Sequence, residues 1–116
     1  MSSHDLTIAL LTIDMPEVIE TTVQKKPQTP EAYQLLKTIE NETRYQMESI
    51  PSHVGLMAKL LRMASRDEDT ESLEQSDIEQ LGYWLGDEME RLEDMIGENH
   101  IAKHQISAHI KNGGAE

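Results

Sequence analysis

The chain has 116 residues, enough for one domain and too few for two ordinary ones, with 37% hydrophobic residues, no Phe and no Cys. The lack of Cys excludes disulfides, thiolate metal sites and a Cys nucleophile, and a core built from Leu, Ile, Val, Met and Ala suits helix packing better than a sheet sandwich. The net charge of −12 lies in one segment: residues 67–98 hold thirteen acidic groups and one basic group, Arg91, whereas the other acids and bases cancel.

No basic n-region with an apolar run opens the chain, and no stretch approaches a membrane span, so a cytoplasmic location is expected. Leu6, Ile8 and Leu10 alternate as in a strand, but a lone strand has nothing to pair with. A short helix is therefore favoured there, followed by a second near Pro16 to Lys25.

Thr29-Pro30-Glu31 marks a helix start, with Thr29 as N-cap and Pro30 at the first helical position. Ala32, Leu36, Ile39, Met47 and Ile50 fall on one stripe at 100° per residue, with Tyr45 opposite it and exposed. This helix is expected over 30–50, ending at Ile50 because Pro51 disfavours helical geometry in the residue before it. A separate helix is expected over 52–65. It carries two apolar stripes, Val54, Met57, Leu61 and Ala64 on one side and Leu56, Leu60 and Met63 on the other. A helix apolar on two sides is central to a bundle or lies at an interface, so Leu56, Leu60 and Met63 are the candidate interface of a homodimer.

Arg66 to Gln75 has no apolar period, and 67–75 reads as a mobile acidic loop. Ser76-Asp77-Ile78-Glu79 matches a capping box. Ile78, Leu81, Leu85, Met89, Leu92 and Ile96 then recur at spacings of 3 and 4, predicting a helix over 77–96 that tolerates Gly82 and Gly86. Gly97 is expected to end or bend it, with a weaker helix over His100 to Ile110 and a disordered tail at 112–116. The whole is expected to be a single all-α domain over 1–116, a small bundle of four to five helices.

The catalytic signals are sparse. His100 and His104 share a helix face, but Ile101 stands where the zincin pattern needs Glu. The stretch Gly86 to Arg91 resembles the acidic helices of helical nucleotide pyrophosphohydrolases, yet Glu40 and Glu42 on the 30–50 helix do not supply the second acidic motif those sites need. There is no phosphate-binding Gly loop and no nucleophile elbow. No catalytic residue, metal or cofactor is therefore expected, and the charge disfavours direct nucleic-acid binding, which depends on neutralising phosphates. Asp87, Glu90, Asp94 and Glu98 lie in a narrow arc with Tyr83. Glu90/Asp94 and Asp94/Glu98 are like-charge pairs four apart, each costing about 0.2–0.5 kcal/mol. That cost suits a docking surface for a basic protein partner.

The expected function is non-enzymatic: a regulator, inhibitor or adaptor acting through this acidic helix and loop. One version is a mimic of nucleic acid, of the kind found in phages and mobile elements, that blocks a nucleic-acid-binding protein. The alternatives are a metal-dependent helical enzyme with carboxylates between helices and a structural homo-oligomer.

Overall fold

The computed structural model describes residues 3–66 and 74–116, with the side chains of residues 3, 4, 64–66 and 75 left aside. The described residues form four helices and no strand: α1 (Ser3–Thr12), α2 (Met15–Val23), α3 (Pro30–Arg66) and α4 (Gln75–Lys111). The small helical bundle read from composition and periodicity is the observed fold. The expected acidic loop falls, except for Glu74 and Gln75, outside the described residues.

Local chemistry accounts for most helix ends. Asp14 accepts a hydrogen bond from the Glu17 amide at 3.2 Å and caps α2, with Pro16 in its first turn. Thr29 Oγ1 caps α3 by accepting from the Ala32 amide at 3.2 Å. At the end of α2 the Lys26 amide reaches the Thr21 carbonyl and the Lys25 amide the Thr22 carbonyl. This is a Schellman ending with Lys25 in the left-handed position at φ 57°.

Three sequence expectations are corrected. Pro51 does not stop the helix, because α3 continues through it to Arg66. Proline removes one intrahelical hydrogen bond, but Ile50 is fully buried, and Val54 and Leu61 carry the same seam onward, so packing outweighs the local penalty. Gly97 likewise neither ends nor splits α4, which runs unbroken for 37 residues. The capping box is two residues earlier than expected: Glu74 is the N-cap, and its amide donates to Asp77 Oδ2 at 3.1 Å.

α3 and α4 lie antiparallel. Tyr33 stacks on His109 at 4.0 Å near the base, Asn99 Nδ2 donates to Thr43 Oγ1 at 3.0 Å further along, and Arg91 bonds Gln46 beyond that. α1 packs on α3 and α2 on α4, closing a core of Leu6, Ala9, Val18, Leu36, Ile39 and Ala102. Above this core sits a buried polar belt of Glu42, Thr43, Gln46 and Asn99. Asn99 also donates to the Glu40 carbonyl at 3.0 Å, so the belt ties one helix to the other in a single register.

The molecule is a rod of 64 × 21 × 21 Å with a radius of gyration of 19.8 Å, against ~13 Å for a compact domain of this length. A 37-residue helix spans ~55 Å, so the two short helices cover only the basal part of the hairpin. Among the described residues its far end is two helices thick.

Candidate protein-interaction surface

The acidic arc lies on α4 where 100° per residue places it. Tyr83 is 75% exposed, and Asp87, Glu90 and Asp94 are exposed beside it. Glu98 is half-buried. It lies one heptad before Gln105, whose Oε1 accepts from Thr22 Oγ1 of α2 at 2.5 Å, so it stands on the flank of α4 that α2 covers. None of the four acids forms an ion pair or side-chain hydrogen bond among the described residues. The ion pair on α4 is Arg91 with Glu88, at 3.4 Å.

Leu56, Leu60 and Met63 are 56%, 49% and 59% exposed. Val54 and Leu61 face inward and are half-buried, while Met57 stays exposed. Half-exposing three large apolar side chains forgoes on the order of 1 kcal/mol each. On α4, Trp84 is half-buried, and Ile78 and Met89 are about half exposed at 52% and 49%.

The chain matches no family model, no curated protein and no solved structure. What it can do must therefore be read from its own surfaces. His100 and His104 are both exposed on α4. Among the described residues no group of three or more His, Asp or Glu side chains is placed to hold a metal ion. Among the same residues no helix is long and apolar enough to cross a membrane.

A cleft of about 590 Å³ between the basal halves of α3 and α4 was not legible in the sequence. Tyr33, Ile106 and Ile110 line it together with three cations, Lys37, Arg44 and Lys103. Lys37 Nζ lies 5.5 Å from the Tyr33 ring centre, and Arg44 is held by Asn41 at 2.8 Å and by Glu40 at 3.9 Å. The only sequence signal was Lys103, Ile106 and Ile110 at i, i+3 and i+7 on one helix. Nothing in it said which residues of α3 would face them.

Proposed function

We propose that this protein is a non-enzymatic binding module, a regulator, inhibitor or adaptor whose acidic α4 arc docks on a basic protein partner. The observation that carries this reading is the run of Asp87, Glu90 and Asp94, exposed and without ionic partners among the described residues. Their mutual repulsion costs the free protein stability and is relieved by a cationic surface, which also speeds encounter through long-range attraction. The nucleic-acid mimic is the more specific version. Each strand of duplex DNA carries one charge per about 3.4 Å, and acids three and four apart on a helix follow at ~4.5–6 Å, a sparser row of the same sign to present to a protein that binds phosphates.

The test compares the full chain with a variant carrying Asp87→Asn, Glu90→Gln and Asp94→Asn. Removing like charges should leave the denaturation midpoint unchanged or slightly higher. Affinity capture from the native host should yield a basic protein at low salt, with less at high salt because charges are screened beyond about 8 Å at physiological ionic strength. The neutralised variant should fail to capture it. A variant that captures the same protein equally well overturns the acidic-arc reading, and for the mimic duplex DNA should displace the captured protein.

A further inference from the structure

The cleft between the basal halves of α3 and α4 gathers cations in a chain that is short of them. Three of the ten Lys and Arg residues, Lys37, Arg44 and Lys103, line it with one acid, Glu40, whereas the remaining residues hold seven bases and twenty-one acids. Glu40 is half-buried and reaches Arg44 at 3.9 Å. Lys37 and Lys103 form no ion pair among the described residues. The antiparallel register sets their heights. Tyr33 lies opposite His109 and Thr43 opposite Asn99, so Lys103 stands across from residue 39, about 3 Å along the axis from Lys37. Two ammonium groups therefore line one space from opposite walls. From Lys103 the same wall continues through Ile106 to Ile110, ~10 Å nearer the base, where Tyr33 lines the other side.

We propose that this cleft binds an aliphatic carboxylate of about eight to ten carbons, its two oxygens taken by Lys37 and Lys103 and its chain laid along Ile106 and Ile110. The volume of about 590 Å³ falls among small-molecule sites, which span roughly 300–1,000 Å³ and combine apolar walls with a few polar groups that fix orientation. Burial of the methylenes supplies affinity, and the paired ammonium groups choose which end enters. An aromatic anion such as a nucleotide has no free ring to stack on. His109 already stacks on Tyr33 at 4.0 Å, and the Lys37 ammonium lies over the same ring at 5.5 Å from its centre. The net charge of −12 also favours a singly charged ligand, which the whole protein repels less than a polyphosphate. The acidic arc of α4 contributes nothing to the cleft lining, so this site is separate from the docking role proposed for the arc.

Titration of the full chain with octanoate at neutral pH, followed by methyl NMR, should shift Ile106 and Ile110 and saturate below a millimolar. Octanol, with the chain but no charge, and acetate, with the head but no chain, should each bind at least ten-fold more weakly. Lys103→Glu should weaken octanoate at least ten-fold with an unchanged helical circular-dichroism spectrum. A second variant, Ile110→Ser, leaves every cation in place and should weaken octanoate as well. The inference is overturned if octanoate does not saturate, if octanol binds as tightly, or if both variants bind as the unaltered chain does. Shifts at Leu56 and Leu60 of the exposed tip in place of the cleft isoleucines overturn it too.

Discussion

His109 is where the C-terminal tail is tied to the body. Its ring is buried, stacks on Tyr33, accepts the Gln28 amide on Nδ1 at 2.9 Å, and pairs through Nε2 with the Ala115 carbonyl at 2.9 Å. Nδ1 must therefore present its lone pair while Nε2 carries the proton. Gly113 takes φ +90° in a second Schellman ending, and Gly114 then passes so close to the imidazole that a Cβ there would overlap the ring. Gly114→Ala should push the tail off His109 and remove the Ala115 hydrogen bond, lowering stability by about 1 kcal/mol. An unchanged urea midpoint would show that the tail contributes nothing. The acids of the arc were legible one residue at a time, because exposure on a single helix follows from spacing alone. Glu98 is half-buried rather than open like the other three, because cover on α4 comes from other helices, whose positions no periodicity in α4 reveals.

At the scale of elements, what the sequence showed was whatever is decided locally. The start of α3 was readable because Thr29 followed by proline is a cap whose partner lies three residues away; Asp14 caps α2 in the same local way, although only a helix near Pro16 was read there. Pro51 and Gly97 were misread for the opposite reason: their local preference is to break a helix, and contacts tens of residues distant override it. Proline inside a helix costs ~3 kcal/mol through the lost hydrogen bond and the clash with the preceding turn, so α3 carries a penalty that its seam offsets. Pro51→Ala restores a donor for the Met47 carbonyl and should raise stability, by up to about 3 kcal/mol if the helix path is otherwise unchanged. A fall in the thermal midpoint would instead mean that a bend at Pro51 is needed to lay Ile50 and Val54 against α4.

Taken whole, the rod has two regimes of local stability set by how far α1 and α2 reach. At the base, four helices share the Leu36–Ile39–Ala102 core, and the Asn99 belt locks the register, so amides there should open only with global unfolding. At the tip, each backbone hydrogen bond is guarded by one neighbouring helix, and opening should need only the fraying of a two-helix end. Hydrogen exchange should therefore separate into a slow population across residues 32–46 and 95–109 and a fast one beyond residue 54 of α3 and before residue 88 of α4. Uniform protection along both helices would contradict this. A partner that binds only the closed tip slows its opening by mass action. Tip amides should then exchange more slowly as that partner's concentration rises while basal amides stay constant. The half-length cover thus leaves in each molecule a local melting equilibrium that association can tune without disturbing the rest of the fold.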